Sequence, residues 1–197
     1  MSAKKLISII VPVFNEEPNI RPLFVTLDPV LEKLSDRYDF EIVFTDNHST
    51  DATFELLKSI ADTDKRVRVF RFSRNFMVQK SILTGLLKAR GAAAIQIDCD
   101  LQDPPELITS FLEKWKQGYE VVYGVRRSRQ ENALINATRA VFYRLINWLS
   151  EIDIPLNAGD FRLVDRKILN ILANCEDRSP YLRGMIASFG YRQIGIP

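Results

Sequence analysis

The stretch Ile7-Ser-Ile-Ile-Val-Pro-Val-Phe-Asn15 is an apolar, β-branched run, too short for a helix, that ends on a turn-forming asparagine. Such a run reads as a strand buried on both faces, the kind found at the centre of parallel sheets. Helical spacing follows at Ile20, Leu23, Leu27, Leu31 and Leu34, where Pro22 and Pro29 are expected to delay or kink the helix. Phe40–Thr45 reads as a second strand. The polar loop Asp46-Asn-His-Ser-Thr-Asp51 comes next, with Ser49 or Thr50 placed to cap a helix over Phe54, Leu57 and Ile60. Further strands are predicted at Val67–Phe72, Ala93–Asp98 and Glu120–Tyr123, and helices at Gln79–Ala89 and Pro105–Gln117.

Five strands alternating with helices imply right-handed crossovers and a doubly wound, mostly parallel α/β sheet with helices on both faces, a Rossmann-like arrangement. In such sheets ligands bind at the carboxyl ends of the strands. Those ends carry Asn15-Glu16, Asp46-Asn47, Ser73-Arg74-Asn75, Asp98 to Asp100 and Gly124 to Arg126, an almost wholly polar set. Residues 1–125 therefore form the α/β core. Residues 126–197 form a further subregion of the same domain, packed onto the sheet, with a helix over Glu131–Ser150, the segment Gly159–Val164 and helical stretches near 165–174 and 180–189. The final Ile194-Gly-Ile-Pro197 reads as a strand leading onward, so the chain is expected to break off before further sequence.

A chain of 197 residues, 46% hydrophobic and 26% charged, is ordinary for a globular domain. A formal net charge of +2 is too balanced to argue for nucleic acid. Two cysteines, Cys99 and Cys175, make no disulfide framework and lack metal-ligand spacing. No stretch of about 18 uncharged apolar residues is present to span a membrane. Arginines crowd one region, at Arg126, Arg127, Arg129, Arg139, Arg144, Arg162 and Arg166, which could face an anion.

The chemistry concentrates in Ala94-Ile-Gln-Ile-Asp-Cys-Asp-Leu-Gln-Asp-Pro-Pro-Glu106. Alternate residues of an extended segment share a face, so Asp98 and Asp100 point together, joined by Gln102 if the chain stays extended. Two carboxylates and an amide oxygen suit Mg²⁺ or Mn²⁺, which commonly completes its shell with phosphate oxygens and water. The plainer reading is that these aspartates cap the next helix, but Asp103, before Pro104-Pro105, is better placed for that. Cys99 lies between the aspartates and should face the opposite way, as a small buried residue. The sole histidine, His48, sits in a polar loop and fits a position near ligand rather than a catalytic base. No GxG and no GxxxxGK[ST] occurs, so dinucleotide and P-loop fingerprints are absent.

Taken in order, Ile9–Glu17, Phe44–Asp51, Asp98–Glu106, Tyr123-Gly-Val-Arg126 and Gly159-Asp-Phe-Arg-Leu-Val-Asp165 resemble family-2 glycosyltransferases of the GT-A fold. Within them the chain is most similar to the polyprenyl-phosphate glycosyltransferases, which include dolichyl-phosphate mannose synthases and bactoprenol glucosyltransferases. The resemblance implies that Pro12, Phe14 and Glu16 line the base and ribose pocket and that Asp46 meets the base edge. It puts Asp98 at the ribose and metal, and Asp100 and Gln102 at the metal and diphosphate. Arg126 and Arg139 would stabilise phosphate charge, and Asp160 would orient the acceptor or remain structural. Asn47 departs from the family's usual second aspartate, and His48 from a common glycine.

The resemblance further implies a nucleotide-sugar donor, UDP-glucose in preference to GDP-mannose, and a polyprenyl phosphate acceptor at the cytoplasmic face of a membrane. A homo-oligomer is compatible with it and nucleic acid has no part. The expected reaction is a single displacement inverting the anomeric centre, with Mg²⁺ or Mn²⁺ and arginines stabilising charge on the leaving diphosphate. A phosphomonoester acceptor, largely dianionic at neutral pH, needs little help from a base. Two other classes compete. Haloacid-dehalogenase-type phosphatases also carry DxD after a strand, but normally after the first one, and with Thr or Val where Gln102 stands. The other is a nucleotide-sugar-binding module inactive for want of further chain.

Overall fold

The computed structural model describes residues 3–125, 158–175 and 181–197. Strands β1 (Lys5–Val13), β2 (Tyr38–Asp46), β3 (Val67–Arg71) and β4 (Ala93–Gln96) alternate with helices α1 (Glu17–Leu34), α2 (Thr53–Thr63) and α3 (Val78–Lys88). Helix α4 (Leu107–Lys116) leads to β5 (Val121–Val125), and then come β6 (Ala158–Asp165), α5 (Arg166–Ala173), α6 (Leu182–Ser188) and β7 (Gln193–Ile196). The seven strands form one sheet in the order β3-β2-β1-β4-β6-β5-β7. All pairings are parallel except those of β6, which runs against both β4 and β5.

The parallel alternation predicted from the sequence is therefore present, with one difference. The segment around Gly159–Val164, expected to pack onto the sheet, is a strand within it, inserted between β4 and β5. Nothing in its local pattern distinguishes a covering segment from an inserted strand; only pairing with β4 and β5 decides that.

Period-2 alternation separates two cores. Ile7, Ile9, Val11 and Val13 of β1 pack with Ile42, Phe44, Ile95 and Ile97 under α1, α2 and α4, whose contacts include Leu23, Leu27, Leu57 and Phe111. Ile10, Val43 and Ala94 face the other way, under Ile82 and Leu86 of α3, Ile168 and Leu172 of α5 and Ile186 of α6. Helix α3 comes especially close at Gly85, where a Cβ would press on Ile10 Cγ2.

Helix α1 runs unbroken through Pro22 and Pro29. Both prolines are exposed, and the carbonyl that Pro29 leaves without an amide donor belongs to Val25, itself 73% exposed, where water can serve it. Helix α2 is not capped by Ser49 or Thr50. The Asp51 carboxylate accepts the Thr53 N–H at 3.0 Å, while Ser49 Oγ is engaged by Asn15 N–H at 2.9 Å. Helix α4 starts at Leu107 after a turn in which the Leu107 and Ile108 amides donate to Pro104 and Pro105 carbonyls.

Candidate functional site

The carboxyl edge of the parallel strands is where the backbone is most constrained. The non-glycine residues with left-handed φ among those described are Asn15 (56°), His48 (66°), Met77 (70°) and Leu101 (58°). Each follows one of the first four strands, and such conformations persist only where the surroundings over-determine them. His48 at +66° occupies backbone suited to glycine, the residue common there in the family it resembles.

Hydrogen bonds tie these loops together. The loop after β1 and the loop after β2 exchange bonds in both directions: Asn15 N–H to Ser49 Oγ (2.9 Å), Glu16 N–H to Thr53 Oγ1 (2.8 Å), and Thr50 N–H to Asn15 Oδ1 (2.8 Å). Asn47 reaches across to the loop after β3, its Oδ1 accepting the Phe76 N–H at 2.8 Å. An aspartate could accept the same bond, so Asn47 keeps the positional role despite its different side chain. His48 is exposed, with Nδ1 3.0 Å from the Phe72 carbonyl.

These loops surround a cleft of about 230 Å³. Pro12, Phe14 and Glu16 form one wall and Asp98 and Asp100 another, as the sequence reading brings them together. Cys99 also borders the cleft, yet it is 2% exposed and packs in the core beneath α1 and α4, the side opposite α3. Its thiol is pushed up to about 12, by burial first and then by the negative charges of Glu16, Asp100 and Asp98. It is an inert thiol at neutral pH, raised in part by the same Glu16, Asp98 and Asp100 that line the cleft.

Not every expected residue joins them. Gln102 is exposed and outside the cleft lining. The strand ends at Gln96, Leu101 is left-handed, and the Gln102 N–H turns back to Asp100 Oδ1 at 3.1 Å, so the alternation that placed Gln102 beside the aspartates does not extend to it. Asp46 lies behind the cleft, its side chain 0% exposed; Oδ1 accepts the Ser49 N–H at 3.0 Å and Oδ2 lies 3.3 Å from Arg71 Nε. Asp160, at the start of β6, pairs with Arg183 at 3.1 Å. Arg166 is not directed at an anion, since it donates to the carbonyls of Gly91 and Ala89. Arg126, Arg127, Arg129, Arg139 and Arg144, with the helix expected over Glu131–Ser150, lie outside the described residues. The sequence reading placed Asn47 at this edge but missed Val13, Val78 and Ser81 as lining residues. The polar Ser73-Arg74-Asn75 marked that edge, but nothing in a Met77-Val78 pair signals a cleft wall.

A divalent cation fits this donor set in one specific sense. Among the described residues no three His, Cys, Asp or Glu side chains converge as a self-sufficient cage. Two hard carboxylates in an open cleft suffice for an ion that takes its remaining ligands from phosphate and water.

The sheet order, the carboxylate-lined edge and the cleft define a GT-A type α/β protein. Residues 8–172 match the model of glycosyl transferase family 2, and the chain belongs to that family. It is 42% identical over 190 residues to an uncharacterized glycosyltransferase of Bacillus subtilis, covering 96% of this chain and 58% of the relative. It is 38% identical over 185 residues to a prophage bactoprenol glucosyl transferase homolog of Escherichia coli, covering 93% of this chain and 60% of that one. The chain thus spans less than two thirds of the length of these relatives. Among solved structures, a mannosyltransferase from Pyrobaculum calidifontis in complex with GDP-Man and Mn²⁺ superposes with a TM-score of 0.67 at 22% identity, covering 100% of this chain and 56% of that one. TarS of S. aureus with UDP-GlcNAc gives 0.61 at 17%, covering 98% and 56%. At these identities the structures establish the fold alone.

Proposed function

We propose that the chain is the catalytic core of an inverting glycosyltransferase that moves a sugar from a nucleotide sugar, UDP-glucose by preference, to a polyprenyl phosphate at the cytoplasmic face of a membrane. The observation that carries this reading is the convergence of Glu16, Asp98 and Asp100 on one cleft at the sheet's carboxyl edge, in a family 2 chain. Relatives named bactoprenol glucosyl transferases, at 37 to 38% identity, support the lipid phosphate acceptor and the glucosyl donor. A mannosyl donor has weaker support, from a structure similar in fold alone. The phosphatase alternative is disfavoured because the paired aspartates follow the fourth strand in chain order, not the first. No helix among the described residues is long and apolar enough to cross a membrane, so membrane proximity enters through the acceptor.

Each part of the site has a role in this reading. Phe14, 44% exposed, offers an aromatic face to a base beside Pro12. Asp46, fully buried and held by Arg71 and the Ser49 amide, is absent from the cleft lining and supports the base pocket by fixing the loop after β2 instead of touching the base. Asp98 and Asp100 would hold Mg²⁺ or Mn²⁺, with Gln102 outside the cleft lining, and the ion's charge when bound would stabilise the leaving diphosphate. Arg126 and Arg139 would add guanidinium donors to the same phosphates.

Calorimetry of UDP and GDP binding, each with and without Mn²⁺, tests the reading. Mn²⁺-dependent binding of UDP that is lost in Asp100→Asn, with the fold retained, is the expected result. Binding of neither nucleotide, or metal-dependent binding unchanged in that variant, would refute it.

A further inference from the structure

Beside the cleft, on β6, the structure gathers more cation than anion. Because β6 is antiparallel, its first residues stand at the carboxyl edge: Arg162 pairs with Gln96, the last residue of β4, and Asp160 lies beyond that pair, on the side of the chain that leads to Asp98. Arg162 is 5% exposed; its Nη2 donates to the Gly159 carbonyl at 3.0 Å and lies 3.6 Å from Asp160 Oδ1. Arg183 of α6 donates its Nη2 to that same oxygen at 3.1 Å. Two guanidiniums thus share one oxygen of one carboxylate.

Three buried donors in this cluster have no hydrogen-bond partner among the described residues: Arg162 Nε, Arg183 Nε and Gln96 Nε2. Buried polar atoms are nearly always paired, and unpaired ones next to charge are the most unfavourable. Every orphan here is a donor, so what they lack is an acceptor. Two positive charges against one negative make that acceptor an anion. Burial brings Arg162 down to about 10, with Asp160 opposing and Arg183 reinforcing the fall, so it still carries its charge at neutral pH. Access is from the Asp160 side, where the Asp160 and Arg183 side chains are 40% and 28% exposed.

We propose that Arg162, Arg183 and Gln96 form a subsite for a second phosphate, a phosphomonoester, and that the Asp160 carboxylate occupies it as an internal stand-in when that phosphate is absent. Carboxylate and phosphate present similar oxygen pairs to a guanidinium fork, so one can replace the other. The subsite lies across β4 from the strands that bear Pro12 and Asn47, which suits a phosphate approaching a donor already in the cleft. This rests on the glycosyltransferase reading for the identity of the ligand, since the phosphomonoester would be the acceptor's.

The test is calorimetry on the 197-residue chain with inorganic phosphate, with a short water-soluble isoprenyl phosphate and, separately, with UDP and Mn²⁺. Arg183→Gln is expected to weaken both phosphates by about tenfold or more, because it removes one of the two guanidiniums that would hold them, while UDP binding stays within about twofold. Arg183→Lys should retain most of the affinity. Asp160→Asn, which removes the competing anion, should tighten both phosphates by about tenfold. Tighter binding of the isoprenyl phosphate than of inorganic phosphate assigns the subsite to a lipid headgroup, and equal binding assigns it to free phosphate. Phosphate binding unchanged in Arg183→Gln, or weakened in Asp160→Asn while circular dichroism shows a native fold, overturns the proposal. Loss of UDP binding alone would instead overturn the nucleotide-sugar reading and leave the subsite standing.

Discussion

Gly85→Ala connects packing to function more directly than any other single change in this chain. A Cβ at Gly85 would approach Ile10 Cγ2 to less than 3.0 Å, and ordinary contact begins at 3.4 Å. Ile10 is 0% exposed on a central strand, so the strain falls on α3, which must move away from the sheet. Overpacking of this kind costs about 1–3 kcal/mol, partly offset by about 1 kcal/mol of helix propensity gained by replacing glycine with alanine. The expected net loss is about 0–2 kcal/mol, centred near 1, read as a lower urea midpoint at unchanged slope. Ser81, one turn before Gly85, and Val78 line the cleft, so the same displacement widens it. A misplacement near 1 Å can cost about 100-fold in rate, and sugar transfer should fall much further than stability alone explains. The control is the Ile10→Ala background, which removes the opposing methyl: there Gly85→Ala should be neutral or stabilising. An equal midpoint shift in both backgrounds would refute the argument that this one contact sets the distance of α3 from the sheet.

Two further outcomes concern charge and backbone. Glu41, 6% exposed, accepts from Ser8 Oγ, the Arg90 amide and Arg68 Nη1, each at 2.7 Å. Burial alone would raise its pKa, but these partners outweigh it and hold the carboxyl below its ordinary 4.5. A depressed value means that its stabilisation is complete above 4.5 and is lost as pH falls below it. Wild type should therefore lose urea resistance on acidification through that range more steeply than Glu41→Gln, and identical pH profiles would remove Glu41 from the account. At neutral pH, Glu41→Ala should cost about 3 kcal/mol by leaving the Ser8 hydroxyl and the Arg90 amide without their acceptor and Arg68 with the Lys88 carbonyl but no counter-charge from Glu41. Met77, with φ 70° and ψ 162°, occupies a region essentially reserved for glycine, and its side chain is 72% exposed. Met77→Gly relieves about 1–3 kcal/mol of strain against about 1 kcal/mol of added chain freedom. A gain near 1 kcal/mol in chemical denaturation is expected, and a loss would show that the Met77 backbone is not strained.

The relation of site to sequence is uneven for reasons that particular residues make plain. Pro12, Phe14, Glu16, Asp98 and Asp100 were legible because each lies at or just after the end of a parallel strand, and strand ends in a doubly wound sheet meet at one edge. Gln102 was misplaced by the alternation argument, because that argument assumes extended backbone and the left-handed Leu101 ends it. Val78 and Ser81 carry no chemical signature; they border the cleft only because Gly85 lets α3 lie close to β1.

What the amino-acid order determined by itself was the alternation of strands and helices, the two cores that follow from period-2 and period-3.6 patterning, and the polar edge at the strands' carboxyl ends. These are local, since each depends on residues within a few positions of one another. The tertiary structure alone decided that β6 enters the sheet between β4 and β5 with reversed direction. That reversal carries Asp160 and Arg162 to the carboxyl edge of the sheet, where Arg183, 21 residues beyond Arg162, closes on the same carboxylate oxygen. Pairing between distant strands and the balance of charge among buried groups are sums over the whole chain, and no short window of sequence contains them.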